Sequence, residues 1–105
     1  MLTVPRGEGT LQETVTLASD GEPGCFVEVE AFLREGEILS YSWRADEPLD
    51  FNIHAHREER VDFFVEERAC EGRGAFHAPR ENAFYLMWTN RHTEDVAVRF
   101  QASLP

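Results

Sequence analysis

Two histidines separated by one residue are the part of the sequence best suited to chemistry. His54 and His56 lie in the segment Asn52–His56, where hydrophobic and polar residues alternate. On a β-strand, side chains at i and i+2 point to the same face, roughly 6.5–7 Å apart. Two imidazoles placed in this way can tilt toward one metal ion, at about 2.0–2.1 Å from each nitrogen. The pattern predicts a metal site, and imidazole ligands suit Zn, Cu or Ni.

A metal site needs a third ligand, and His77 is the best candidate for it. His77 alternates with Phe76, so it points outward if Phe76 points into the core. Acidic alternatives follow the pair along the chain: Glu58, Glu59 and Glu66. The competing interpretation is a pair of solvated surface histidines on a strand, with no ligand bound.

A histidine pair on a strand is also similar to the metal site of the cupins, which gives an alternative hypothesis of a cupin-like, metal-dependent enzyme. The cupin pattern has a glutamate shortly after the second histidine, where this sequence has Arg60 and Val61. No serine lies in a nucleophile-elbow motif. The residues therefore favour binding over catalysis.

The elements that must position these residues are strands, because alternation with a period of two runs through the whole chain. Turn residues separate the alternating segments, notably at 20–24 and 72–74. About eight strands at roughly 8–12-residue spacing are typical of a sandwich or barrel. The expected segments are 11–17, 25–33, 39–45, 49–56, 61–66, 75–78, 84–88 and 96–104. The sequence predicts a single domain over 1–105, a two-sheet antiparallel, jelly-roll-like β-sandwich, with a loose N-terminal segment at 1–9.

Charge restricts the classes of partner. Twenty acidic residues face ten basic ones, for a net charge of −10, so nucleic acids and anionic membranes are repelled. A metal cation or a basic protein is compatible with this charge. No apolar run approaches the roughly 20 residues that span a bilayer, and residues 1–6 lack the charged and apolar pattern of a leader. The expectation is a cytoplasmic protein without membrane insertion.

Two further features bear on partners and redox state. Phe64, Tyr85 and Met87 have the opposite parity from their core neighbours. They either lie under the edge of the second sheet or form an apolar patch, and such a patch would mark a protein partner or homodimer surface. Cys25 and Cys70 are the only cysteines. They allow one disulfide, although reduced thiols are the rule in the cytosol.

Residues 38–104, together with the opening pair Cys25-Phe26, resemble the GOLD (Golgi dynamics) domain, in particular its stand-alone bacterial type. The matching segments are Leu49–Ile53, Gly74–Pro79, Tyr85–Asn90 and Val96–Phe100. The resemblance implies a β-sandwich that acts as a binding or adaptor module. It also implies a disulfide from the opening cysteine to the aromatic strand, but Phe84–Trp88 contains no cysteine.

The leading hypothesis is a small, soluble, non-catalytic binding or adaptor module that binds a transition metal through His54, His56 and His77. A cupin-like metal enzyme and a purely protein-interaction domain are the alternatives.

Overall fold

The fold consists of β-strands joined by turns, as seen in a computed structural model that describes residues 1–7 and 9–105. The strands within this part of the chain are β1 (Leu2–Thr3), β2 (Leu11–Leu17), β3 (Phe26–Leu33), β4 (Ile38–Arg57), β5 (Arg60–His77), β6 (Asn82–Thr89) and β7 (Val96–Ser103). Within the described residues no helix is long and apolar enough to cross a membrane. The predicted all-β class is confirmed.

A long hairpin, β4–β5, folds the sheet into two layers. Ser40–Ala45 of β4 pair with β7, whereas Asp50–His54 pair with β6, and β5 follows β4 along both halves. The first layer contains β1, β3, β6, the second half of β4 and the first half of β5. The second layer contains β2, β7, the first half of β4 and the second half of β5. All pairings are antiparallel except that of β1 with β3.

The structure has fewer strands than the predicted eight because two predicted breaks lie inside strands. Segments 39–45 and 49–56 form one strand, and Pro48 coincides with the register shift between Arg44 and Leu49. Proline has no backbone N–H to donate to a neighbouring strand. The pairing is therefore interrupted at this point, but the strand continues beyond the proline. The expected turn at 72–74 is part of β5, where Gly72 and Gly74 lie opposite Trp43 and Tyr41. Glycine leaves room there for the large rings.

Aromatic side chains from both layers fill one core. Trp88 of the first layer stacks on Phe100 of the second, with ring centroids 4.5 Å apart. Phe51 packs against Trp88 at 5.1 Å and against Trp43 at 5.5 Å. At the other end of the core, Phe76 and Phe84 meet at 5.1 Å. These contacts between the layers are the packing that a sandwich requires.

The beginning of the chain is anchored to β3. Leu2 pairs with Val29, and Val4 is 2% exposed and donates its backbone N–H to Glu30 O at 2.9 Å. The prediction of a loose segment at 1–9 is therefore wrong for residues 2–4, because they add a parallel edge strand to the first layer. Glu8, which also falls in that segment, lies outside the described residues.

A buried asparagine ties together two loops at one end of the sandwich, the β2–β3 and β6–β7 connections. Asn90 is fully buried, and its Nδ2 donates to the carbonyls of Ala18 at 2.9 Å and Glu94 at 2.8 Å. Its Oδ1 accepts from the backbone N–H of His92 at 2.8 Å, and its own N–H donates to Cys25 O at 2.8 Å. Cys25 is half-buried and Cys70 is exposed, and both are free thiols.

Candidate functional site

The predicted histidine pair lies on the outer face of the first layer, on the side away from the core. The strand registers place four side chains in one row across this face. His54 lies opposite Phe63 of β5 and Tyr85 of β6, and Tyr85 lies opposite Glu30 of β3. Since Ile53 and Ala55 are completely buried in the core, alternation turns the two histidines outward.

His54 is covered by its neighbours although it points away from the core. Its ring stacks on Tyr85 at 5.4 Å, lies 5.8 Å from Phe63 and meets His56 edge-on at 5.4 Å. These rings leave His54 only 4% exposed, whereas His56 is open to solvent. The two histidines therefore occupy different environments despite their shared face.

Both ring nitrogens of His54 have polar partners. Nδ1 lies 2.6 Å from Asn52 Oδ1, and Nε2 lies 3.3 Å from Glu28 Oε2. Burial lowers the pKa of His54 below its usual value, although the Glu28 carboxylate acts in the opposite direction. The neutral imidazole has one N–H, so it can donate to only one of these oxygens at a time.

Tyr85 connects the histidines to the acidic edge of the face. Its hydroxyl donates to Glu30 Oε2 at 3.1 Å, and its ring meets the edge of His56 at 5.6 Å. Burial and the hydrogen bond to Glu30 raise the pKa of Tyr85. The side chain therefore remains a neutral phenol and a hydrogen-bond donor at physiological pH.

The structure does not bring the third predicted metal ligand to the pair. His77 lies opposite Ile38, at the other end of the β4–β5 hairpin from His54 and His56. In residues 1–7 and 9–105, no three His, Cys, Asp or Glu side chains form a group that could hold a metal ion. A metal at His54 would also displace Asn52 or Glu28 from a ring nitrogen. The predicted metal site is thus left with two of its three ligands.

Hydrophobic side chains that reach solvent are concentrated on this same face. We use the name exposed hydrophobic patch for four of them, which are 41–53% exposed: Phe26, Phe32, Val61 and Phe63. Phe26 and Phe32 lie on β3, and Val61 and Phe63 lie on β5. Tyr85, His54 and His56 fill the strands between Phe32 and the pair on β5. Phe26 lies on the same face but about 20 Å from Phe32 along β3, in a row with Thr89, Asp50 and Arg68. The patch spans four strands, which corresponds to about 14 Å.

Sequence reasoning identified only part of this surface. Tyr85 and Met87 lie on it and are half-buried. Phe64 is not part of this surface: it packs against Phe76 at 5.5 Å and Phe84 at 5.7 Å, on the core side.

The cause is a register shift between Ile53 and His54, which leaves Phe64 as an extra residue on β5 and reverses the parity beyond it. Sequence reasoning missed Phe26 and Phe32. The signal that could have found them is their even-numbered position on β3, which they share with the outward-pointing Glu28 and Glu30.

Comparison with known proteins gives structural matches only. No family model matches the chain, and no curated protein does. One similar solved structure is PliG of Aeromonas hydrophila, a periplasmic inhibitor of g-type lysozyme; it is 11% identical, with a TM-score of 0.66 over 99% of this chain and 96% of that one. Another is the pre-peptidase C-terminal domain of a Bacillus anthracis collagenase, which is 8% identical, with a TM-score of 0.63 over 99% and 91%. At these identities the chain shares an all-β fold with both.

Proposed function

We propose that this chain is a non-catalytic binding module that docks a protein partner on the outer face of its first layer. The observation that carries the proposal is the exposed hydrophobic patch. Among the described residues the only other large hydrophobic side chain that is exposed is the terminal Met1. Burying a Phe or Val side chain against a partner contributes about 1.5–3 kcal/mol. Hydrophobic surface gathered in this way is typical of an interaction site.

The face is preorganised for docking. Its side chains stand on paired strands, and the stacked rings of His54 and Tyr85 and the Tyr85–Glu30 hydrogen bond hold its centre in place. A surface that is already ordered loses little conformational entropy when it binds. The half-buried centre flanked by Phe32 and Phe63 is the arrangement expected of an energetic hot spot.

Charge selects the kind of partner. Glu28 and Glu30 lie among the aromatic residues of the face, and the chain carries a net charge of −10. A second copy of the chain would bring identical carboxylates together, which disfavours a homodimer through this face. A partner with an apolar surface and Lys or Arg side chains around it would complement both features.

The similarity to PliG supports protein binding as the activity of such a domain. PliG is an inhibitor of g-type lysozyme, and the match extends over nearly the full length of both chains. A compact β domain of this shape is therefore sufficient for binding an enzyme. A g-type lysozyme is accordingly the first natural protein to test as a partner.

The proposal can be tested before any natural partner is identified, by selecting displayed random peptides on the immobilised chain. Counter-selection uses the double variant Phe32→Ser/Phe63→Ser, and Thr16→Ala, exposed on the second layer, is the matched control. We expect basic peptides with apolar side chains that bind the wild type and Thr16→Ala alike, and the double variant about tenfold or more weakly. Purified g-type lysozyme is measured in parallel, by binding and by its residual activity.

Peptides that bind the double variant as tightly as the wild type would contradict the proposed face. Binding of lysozyme without loss in the double variant would assign that interaction to another surface. The equilibrium mass of the chain at high concentration separates the homodimer alternative, because a monomer leaves the face free for another protein.

Three sequence predictions remain proposals beside this one. They are the relationship to the GOLD domain, the cytoplasmic location, and a transition metal at His54 and His56. Metal content after purification without an affinity tag decides the last of them, with His54→Ala/His56→Ala as the comparison. The cupin-like enzyme hypothesis depends on the same measurement, since it requires the metal.

A further inference from the structure

A second surface lies on the other side of the molecule, on the outer face of the second layer. A cleft of about 630 Å³ opens there across β2, β7, β4 and β5. Trp43 and Phe100 at its base are 4% and 3% exposed and turn into the core, so the residues on either side of them point outward. The hydrogen bond from Gln101 Nε2 to Ser42 Oγ, 3.0 Å long, shows this orientation directly.

The registers bring three arginines to the cleft. Arg99 of β7 lies opposite Arg44 of β4, and Arg44 lies opposite Glu71 of β5. Arg73 is two residues beyond Glu71 on the same strand. With strands about 4.8 Å apart and about 3.3 Å per residue, the backbones of Arg73 and Arg99 are about 12 Å apart. Two extended arginine side chains can therefore reach one group held between them.

This cluster reverses the charge of the surrounding surface. The lining residues include three arginines and two glutamates, Glu13 and Glu71, so the cleft has a local charge of +1. The rest of the chain carries −11, which gives the total of −10. Arg44 pairs with Glu71 at 3.2 Å, but both side chains are more than half exposed, so the pair is weak. Within the described residues Arg73 and Arg99 have no ion-pair partner, and the same holds for Arg34 and Arg57 outside the cleft. Arg6, Arg60, Arg68, Arg80 and Arg91 each pair with a carboxylate.

The uncharged lining indicates what surrounds the anion. Four side chains of the cleft carry hydroxyl or amide groups, which both donate and accept hydrogen bonds: Gln12, Thr14, Ser42 and Gln101. Such groups match the hydroxyls of a ligand, and guanidinium groups match carboxylate or phosphate oxygens with paired hydrogen bonds. A long polyanion is repelled by the net charge of the whole chain, so a small ligand is favoured.

We infer that this arginine cleft, lined by Arg44, Arg73 and Arg99, binds a small hydroxylated anion, such as a sugar acid or a sugar phosphate. The site is separate from the proposed protein-docking face, because it lies on the outer face of the other layer. The two proposals are therefore independent of each other, and substitutions on one surface leave the other surface unchanged.

The test is calorimetric titration of the whole chain with D-glucuronate, D-glucose 6-phosphate and inorganic phosphate, with D-glucose as the neutral comparison. We expect saturable binding of the hydroxylated anions in the millimolar range or tighter, and none of glucose. Arg73→Gln and Arg99→Gln should each weaken binding about tenfold. Arg57→Gln is the matched control, since Arg57 is exposed, lies at the hairpin tip and has no ion-pair partner in the described part of the chain.

The outcomes separate the sources of the anion and the site itself. Preference for glucuronate assigns a carboxylate ligand, and preference for the sugar phosphate assigns a phosphate ligand. Absence of saturation with every anion up to about 50 mM, or equal weakening by Arg57→Gln and Arg99→Gln, would overturn the inference. Thermal unfolding of each variant confirms that a loss of binding is not a loss of fold.

Discussion

Replacement of Gly72 by alanine should destabilise the domain through a single contact. Gly72 lies on β5 opposite Trp43, and its φ is outside the left-handed region, so the backbone accepts alanine. A Cβ at this position would lie 2.6 Å from Nε1 of Trp43 and 2.7 Å from Oε1 of Glu67. Glu67 is exposed and can move away. Trp43 is held between Phe51 and Trp88, at 5.5 and 6.2 Å between ring centroids.

The magnitude follows from the space that the methyl group needs. Ordinary contacts of a Cβ begin at 3.4 Å, so the indole must shift by about 0.8 Å. Overpacking a well-filled core costs about 1–3 kcal/mol, and each kcal/mol lowers the Tm of a domain of this size by about 4–8 °C. We therefore expect Gly72→Ala to lower the Tm by at least about 4 °C, measured by calorimetry and by urea unfolding.

Two controls isolate the contact. In a Trp43→Phe background the obstructing indole atoms are absent, so the same substitution should cost less than about 1 kcal/mol. The added methyl group of Gly74→Ala meets the outer end of the half-buried Tyr41 side chain, at 2.7 Å from the hydroxyl oxygen and 2.9 Å from Cζ. That end of the side chain can swing toward solvent, so the cost should be smaller. An equal cost of Gly72→Ala in both backgrounds, or no cost in the wild type, would refute the explanation.

Two further predictions concern buried polar groups. The lowered pKa of His54 means that the unfolded chain takes up a proton which the folded chain excludes, so stability should fall as the pH drops through about 6.5. Glu28, His56 and Tyr85 face this ring. The change in Tm between about pH 7.5 and about pH 5.5 should be smaller in His54→Gln than in the wild type and unchanged in His77→Gln. A pH profile of His54→Gln that matches the wild type would contradict this prediction. Asn90→Ala removes the donor shared by Ala18 O and Glu94 O and the acceptor for His92 N–H. It should lower the free energy of unfolding by about 3 kcal/mol in urea, and a loss below about 1 kcal/mol would mean that water replaces the amide.

Local alternation was enough to predict the fold class and the direction of several side chains. In 49–56 it placed Phe51 and Ile53 in the core and turned His54 to the opposite face, because side-chain direction alternates along a regular strand. Alternation failed at Phe64, where the extra residue reverses the parity. It also failed at Pro48, where a strand end was predicted. Pairing of β4 with β5, with β7 before Pro48 and with β6 after it keeps the chain extended.

The candidate surfaces depend on strand order, which local patterns do not contain. His77 and His54 are distant because they belong to opposite ends of one hairpin, and Arg73, Arg44 and Arg99 are neighbours because β4 lies between β5 and β7. The burial of His54 likewise depends on rings contributed by β5 and β6. Parity indicated that Phe26 and Phe32 point outward, but not that the neighbouring strands leave them uncovered.

The long β4–β5 hairpin has a consequence for how the chain assembles. Its turn contains only Glu58 and Glu59, with Glu58 in the left-handed conformation at a φ of 57°, so closing it requires little loss of loop entropy. By contrast, β2 pairs with β7 across most of the sequence, and β3 pairs with β6 across about half of it. We expect the hairpin to form first and to serve as the template on which the other strands add. A circular permutant opened between Glu58 and Glu59, with residues 1 and 105 joined by a linker, loses this local closure, and we expect it to fold more slowly.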